Sequence, residues 1–297
     1  MYDIVVIGSI NADLVFKADK RPNPGETLIG KDFKTVPGGK GANQAVAAAR
    51  LGAKVAILGC LGKDQNGVFL EENLENNNVE TKYIKKTDDA PSGVAGIVLA
   101  EGDNSIIVVP GANYKVDKEY IDKNKEVILN SKIVLLQLEI PVDVVKYVIE
   151  ICSNSEVKTI LNPAPIQKLD EDTLDKLDYL TPNEHEFKIL YGSTNEEKIL
   201  KEQKNKLIIT KGRQGVVFSK GEEVINIPSL EVDVVDTTGA GDTFNGAFAQ
   251  SIVKGKTVEE SIKFANIAGA ISVTKFGAQG GMPTLEEINK FIKKRKV

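Results

Sequence analysis

Short apolar runs alternate with longer helical patterns along most of this chain, and no other feature of the sequence constrains its fold as tightly. Residues 4–8 read as a buried strand, 41–51 as an alanine-rich helix, 54–60 as a strand and 64–76 as a helix. Further strands are expected at 133–138, 159–161 and 206–210, a helix at 142–151, and long helices at 242–253, 258–275 and 285–294. The strand runs are apolar at consecutive positions, so both of their faces need covering. Such runs, separated by helices of about ten residues or more, are the signature of βαβ units. The expected class is therefore α/β and three layers deep, a mostly parallel sheet with helices on both faces.

Two segments break this rhythm. Residues 11–36 hold Pro22, Pro24, Gly25 and Gly30 among short β-like stretches. Residues 92–109 read as a hairpin, with 94–100 and 105–109 joined by a turn at Glu101-Gly102-Asp103-Asn104. Together they are expected to form a small β-sheet lid over one end of a single domain spanning 1–297.

Composition narrows the chemistry. Lys and Arg number 38 against 42 Asp and Glu, a net charge of −4, so nothing suggests the basic face that nucleic acid requires. The basic end, 293–296, reads as a solvated helix terminus. Two cysteines, Cys60 and Cys152, cannot build a disulfide framework or a four-ligand zinc site, and both read as buried small hydrophobes. The single histidine, His185, leaves little room for a Ser-His-Asp hydrolase or a multi-His metal site, and reads as a surface or packing residue. The first apolar run is too short for a signal-peptide core or a membrane span, and no longer one occurs. The expected location is cytoplasmic, with no membrane partner.

The most informative stretch is 236–246, Asp-Thr-Thr-Gly-Ala-Gly-Asp-Thr-Phe-Asn-Gly. A strand-like run at 232–235 leads into the Gly239-Ala240-Gly241 loop, and a helix is expected to start near Asp242. The first N–H groups of a helix lack internal partners and carry partial positive charge. A loop of small residues lets those groups face an anion such as a phosphate. Asp242, at the rim, can take the proton of a hydroxyl attacking phosphorus. The plainer reading is that Asp242 only caps the helix. The Gly-Ala-Gly loop and the nearby Asp236 favour the chemical one. Other phosphate loops do not fit: Gly255-Lys256-Thr257 has the ending of a P-loop, but Gln250 stands where its first glycine belongs. Gly39-Lys40-Gly41-Ala42-Asn43-Gln44 is not a dinucleotide fingerprint, having Gln at its third small position and not directly following the first strand.

At this point the chain resembles the PfkB carbohydrate kinase family over essentially its whole length. The stretches that carry the resemblance are Gly8 to Asp13, Pro37 to Ala45, Thr181 to Glu186, Thr210-Lys211-Gly212 and Asp236 to Gly246. The family implies an α/β core with a β lid that often forms a homodimer contact, and MgATP-dependent phosphorylation of a sugar hydroxyl. It makes Asn11, Asp13, Gly39, Lys40, Gly41, Asn43 and Glu139 the sugar contacts, with Asp242 beside them. Asn11 and Asp13, two apart in an extended segment, face the same way, and the glycine-rich turn would bring backbone donors close to a polyol. The resemblance links Asn183 and Glu186 to the magnesium and phosphate environment; the same pair also fits a helix capping box. Thr210, Lys211, Gly212, Arg213 and Gly215 resemble the ATP loop, Gly241 adjoins the phosphates, and Asn266 would help wall the adenine. Asp236, Thr238, Ser272, Lys275, Gly277 and Gly281 fall where the family binds a monovalent cation, usually potassium.

The resulting expectation is transfer of the terminal phosphoryl group of ATP to O5 of D-ribose. Asp242 serves as general base, and the amides of Gly239, Ala240 and Gly241 act as anion hole. The alternatives are the same chemistry on 2-deoxyribose, fructose or a nucleoside, or a non-catalytic nucleotide or sugar sensor on the same fold.

Overall fold

The computed structural model describes residues 1–192 and 195–295. Its central strand, Ile4–Ile7, is fully buried and pairs in parallel with Ile133–Leu136 on one side and Val55–Leu58 on the other. The six-stranded parallel sheet runs in spatial order Tyr179–Leu180, Lys158–Leu161, Ile133–Leu136, Ile4–Ile7, Val55–Leu58 and Val79–Glu80. Alternate side chains of one strand enter two separate cores. Ile4 and Val6 pack with Val46, Phe248 and Ile262, under the helices Lys40–Arg50, Ala240–Val253 and Val258–Ser272. Val5 and Ile7 pack with Ile121, Val145 and Ile149, under Lys118–Lys123 and Val142–Ser153. Burial on both faces is why these strands are apolar at every position. The three-layer expectation is met.

The sheet does not stop at Tyr179–Leu180. Parallel bridges from Leu180 to Leu207 and from Asn183 to Thr210 carry it into Ile208–Thr210. That strand then pairs antiparallel with Val216–Lys220, and Val216–Lys220 with Glu223–Ile227.

The segments expected to form a lid build a four-stranded sheet ordered Asp32–Gly38, Asn11–Lys17, Gly93–Ala100, Asp103–Val109. Its inner pair is parallel and its outer pairs antiparallel. Val15, Ala95 and Ile97 form a small core of their own. The hairpin turn is tighter than expected. Glu101 and Gly102 alone make it, with φ of 57° and 78°, and Asp103 and Asn104 already belong to the return strand. Two residues of positive φ match the right-handed twist of the flanking strands.

Three boundaries differ in ways that matter for the site. Residues 232–235 have strand-like composition but form no strand, because the Val235 and Asp236 amides donate to the Val273 carbonyl rather than to a sheet neighbour. The glycine-loop helix begins at Ala240, two residues before the expected start. The next helix ends at Ser272, three residues before the expected 275, which frees 273–277 to return toward Asp236. Cys60 and Cys152 are buried and unpaired, as expected. Lys293, Lys294 and Arg295 end the last helix, and Lys296 of the basic terminus lies outside the described residues. Among the described residues no helix is long and apolar enough to cross a membrane.

Candidate active site

Thr237 to Ala240 form a turn that launches the Ala240–Val253 helix: the Ala240 amide donates to the Thr237 carbonyl at 3.2 Å. Gly239 occupies the third position of that turn with φ 76° and ψ 4°, which favours glycine. A Cβ there would also lie 2.7 Å from that of Ala278. The turn narrows the anion cradle expected from sequence. The Ala240 amide is spent on the protein, whereas those of Gly239 and Gly241 have no protein partner among the described residues.

Asp242, one residue into the exposed rim, is itself buried. Its Oδ2 accepts from Asn43 Nδ2 and its Oδ1 from Gln44 Nε2, both at 2.9 Å. Both donors come from the Lys40–Arg50 helix, which packs along the Ala240–Val253 helix. The carboxylate is therefore held from across the fold rather than turned back to cap its own helix.

The residues expected at the sugar converge on this carboxylate. Glu139 accepts from Ser9 Oγ and from the Lys40 amide, the latter at 3.1 Å. The Gly41 amide donates to Ser9 Oγ at 3.3 Å. The backbone of 39–41 is thus less open than expected: the amides of Lys40 and Gly41 go to Glu139 and Ser9. Gly39 and Gly41 are glycine because a Cβ would strike the chain's own backbone at Asn11 and Gly8, at 2.7 and 2.6 Å. Asn11 Oδ1 accepts from Asn113 Nδ2 at 2.7 Å, leaving its amide nitrogen for other partners.

Charge confirms the convergence of these side chains. Burial and the Glu139 and Asp242 carboxylates push the half-buried Asp13 carboxyl up to about 7, against the pull of the Lys40 ammonium. Burial alone would lower the Lys40 ammonium, but Asp242, Glu139, Glu186 and Asp13 outweigh it and raise its pKa. Burial also raises Glu186, against the pull of the Asn183 backbone and Lys40. Glu186 and Asn183 complete the capping box of the Glu184–Tyr191 helix, and His185 beside them is exposed.

On the other side of the helix start lies a cleft of about 730 Å³ lined by Thr210, Gly212, Arg213, Gly215, Gly241 and Asn266. Its remaining wall includes Leu230, Val232, Val234, Phe244 and Ala270, none of which the sequence marked as site residues. Leu230, Val232 and Val234 gave little signal because they lie in an irregular segment, and Phe244 and Ala270 because an apolar helix residue reads as core. Asn266 Nδ2 ties that wall down through the Pro228 carbonyl at 2.7 Å. Lys211 does not line the cleft, since its ammonium pairs with Glu196 at 2.6 Å.

Below the glycine loop, Asp236 draws two loops together. One oxygen accepts from the Thr238 amide and hydroxyl at 2.9 and 2.6 Å, the other from the Gly277 amide at 2.9 Å. These bonds outweigh burial and hold its carboxyl below the ordinary range. Gly281 lies against the Ser272 carbonyl, where a Cβ would come within 2.2 Å. Ser272 Oγ bonds to the Gly269 carbonyl at 2.8 Å, and Lys275 pairs outward with Glu287. Among the described residues no group of three or more His, Cys, Asp or Glu is arranged to hold a metal ion.

A cleft at a helix N-terminus, joined to a cluster of polar side chains through one buried carboxylate, is the layout of an enzyme that moves an anionic group onto a small polar acceptor. A profile of pfkB family carbohydrate kinases matches residues 1–285, and the chain belongs to that family, phosphotransferases with an alcohol acceptor. It is 50% identical over 292 residues to a ribokinase of Bacillus subtilis, covering 98% of this chain and 100% of the other. It is 45% identical to a ribokinase of Lactococcus lactis, covering 100% and 99%. Among solved structures, a Thermotoga maritima ribokinase superposes with a TM-score of 0.90 at 38% identity, covering 99% and 100%. An Arabidopsis thaliana ribokinase complexed with ribose and ATP does so with a TM-score of 0.90 at 34% identity, covering 98% and 99%.

Proposed function

We propose that this chain is an ATP-dependent kinase that phosphorylates D-ribose at O5, with Asp242 as general base. The observation that carries the reading is the position of Asp242. It lies between the cleft lined by Gly241 and the polar cluster of Asp13, Lys40, Asn43 and Glu139, the boundary that a transferred phosphoryl group would cross. Ribose hydroxyls would pair with Asn11, Asp13, Lys40, Asn43 and Glu139. The O5 proton would pass to Asp242 as the oxygen attacks phosphorus. The open amides of Gly239 and Gly241, at the positive end of the helix, would receive the charge on the phosphoryl oxygens. The Ala240 amide, already engaged, would orient the turn. Thr210, Gly212, Arg213, Gly215 and Asn266 would hold the nucleotide, and Lys211 would brace their loop through Glu196.

Magnesium fits this donor set as an ion carried on ATP phosphates and water, with Asn183 and Glu186 in its surroundings; bound there, it would neutralise phosphate charge. Potassium fits the loops at 236–238 and 272–281, whose donors are oxygens of Asp236, Thr238, Ser272, Lys275, Gly277 and Gly281. It would order the glycine loop.

We read residues 1–297 as one domain with a lid from about 11–36 and 92–109, acting in the cytoplasm as a homodimer. Phe16, Phe33, Ile107 and Val109 share the lid face opposite Asp13, and Ile107 is 74% exposed. An apolar face of this kind suits a second copy of the chain. Ile107→Asp should convert a dimer into monomers in sedimentation, and a wild-type chain that sediments as a monomer refutes this contact.

The function is tested by ATP consumption on a panel of ribose, 2-deoxyribose, fructose and nucleosides, with and without potassium. Ribose should give the highest kcat/KM. Deoxyribose is the competing acceptor, since the relatives also include a deoxyribokinase of Salmonella typhi at 37% identity. Absence of turnover on every acceptor would leave a sensor.

A further inference from the structure

We infer that Gln44 is a positioning residue for the Asp242 carboxylate, an inference that rests on the reading of Asp242 as the base. Gln44 is fully buried on the Lys40–Arg50 helix and faces no open surface. Its Nε2 donates to Asp242 Oδ1 at 2.9 Å and to Asn162 Oδ1 at 3.1 Å. Its Oε1 accepts from Gln137 Nε2 at 2.6 Å.

The direction of these bonds is dictated by backbone chemistry. The Thr181 carbonyl can only accept, and Asn162 Nδ2 donates to it at 3.2 Å. Asn162 therefore turns its oxygen toward Gln44, and Gln44 must answer with its NH₂. That NH₂ has two hydrogens, one for Asn162 and one for Asp242. With the Gln44 oxygen turned the other way, Gln137 must offer its nitrogen, and its own Oε1 is left buried without a partner. A chain of amides anchored at the Thr181 carbonyl holds its far end in a single orientation. That far end is Asp242.

The consequence is a base with one lone-pair direction on each oxygen already occupied, by Gln44 on Oδ1 and Asn43 on Oδ2. Asn43 is assigned to the sugar, so Gln44 is the contact that can orient Asp242 whether or not the acceptor is bound. The other charged groups facing the pair are Lys40 on the same helix, Asp13 of the lid, Glu139 and Glu186. None of them donates a hydrogen bond to Asp242 among the described residues.

Gln44→Met keeps the volume and removes the donor. Its kcat on ribose should fall roughly 10²-fold, the scale of a misplaced catalytic group, with KM for ATP unchanged. Gln44→Glu keeps the shape and replaces the donor by an acceptor. Two carboxyls at hydrogen-bond distance share one proton, and the protonated partner donates as the amide did. The ratio of wild-type to Gln44→Glu kcat should therefore be larger where the pair holds no proton than where it shares one, and shrink as pH falls. A role confined to packing would leave Gln44→Met, which keeps the volume, at wild-type kcat. Asp242→Asn, measured alongside, separates the two claims. If it turns over normally, the base reading fails. If it is inactive while Gln44→Met keeps wild-type kcat, or while the Gln44→Glu ratio does not change with pH, the positioning role is overturned. Should Gln44→Met not fold, the Gln44→Glu ratio decides.

Discussion

The two compartments that meet at the start of the Ala240–Val253 helix are built by opposite means. The side read as the acceptor's is a set of polar side chains bonded to one another, Asp242 with Asn43 and Gln44, and Ser9 with Glu139. The nucleotide side is mostly backbone, apolar wall and exposed loop, with Gly212 and Arg213 open to solvent. Reacting atoms tolerate little displacement, so preorganised dipoles serve the first side. A nucleotide held there through its phosphates and its flat base would tolerate a looser wall. Substitutions on the acceptor side should therefore act on kcat, and those in the cleft on KM.

The largest break in this contrast is Asp242→Asn. Loss of a general base should cost about 10²–10⁴-fold in kcat, while MgATP still raises the melting temperature of the variant. Loss of ATP binding in parallel would mean that the carboxylate belongs to both sides.

Gly239→Ala sits on the boundary. It forces an alanine to φ 76° against the Ala278 Cβ. The left-handed backbone alone costs about 1–2 kcal/mol. Thermal unfolding should show the lower stability, and kcat and KM for ATP should worsen together. A variant with wild-type melting and kinetics would show that the turn relaxes freely.

Asp13 sharpens the contrast through pH. Its carboxyl titrates at about 7 in the free protein, so the folded chain binds this proton more tightly than the unfolded one. The stability it contributes is full below the ordinary carboxylate range and is lost as pH rises through about 7. A sugar hydroxyl donating to the charged form reverses the preference, so KM for ribose should fall as pH rises through that range while KM for ATP stays level. Calorimetry in buffers of different ionisation enthalpy should register proton release on ribose binding. Release on ATP binding instead would place Asp13 on the wrong side.

The smallest effect belongs to Asn266→Ala, which unties the cleft wall from the Pro228 carbonyl. One hydrogen bond is worth about 1 kcal/mol, so KM for ATP should rise roughly fivefold with kcat intact. A fall in kcat alone would erase the distinction between the compartments.

Much of this was legible beforehand where the cause is local. Strands such as Ile4–Ile7 declare themselves because burial on both faces makes every position apolar, and the helices because their apolar stripe repeats along one face. Tyr179–Leu180 and Val79–Glu80 are two residues long, too short for any period to register. Residues 232–235 form no strand because β-branched composition favours one but a free neighbouring edge is also required.

Sequence alone determined the layering of the α/β core, the lid hairpins and the glycine loop with its acid, since each depends on residues adjacent in the chain. Only the tertiary structure decided which amides of that loop stay open, and that Gln44 and Asp242, 198 positions apart, share a hydrogen bond. Backbone turns and apolar periodicity are properties of a segment. A buried polar contact exists only once separate segments have closed around it and excluded water.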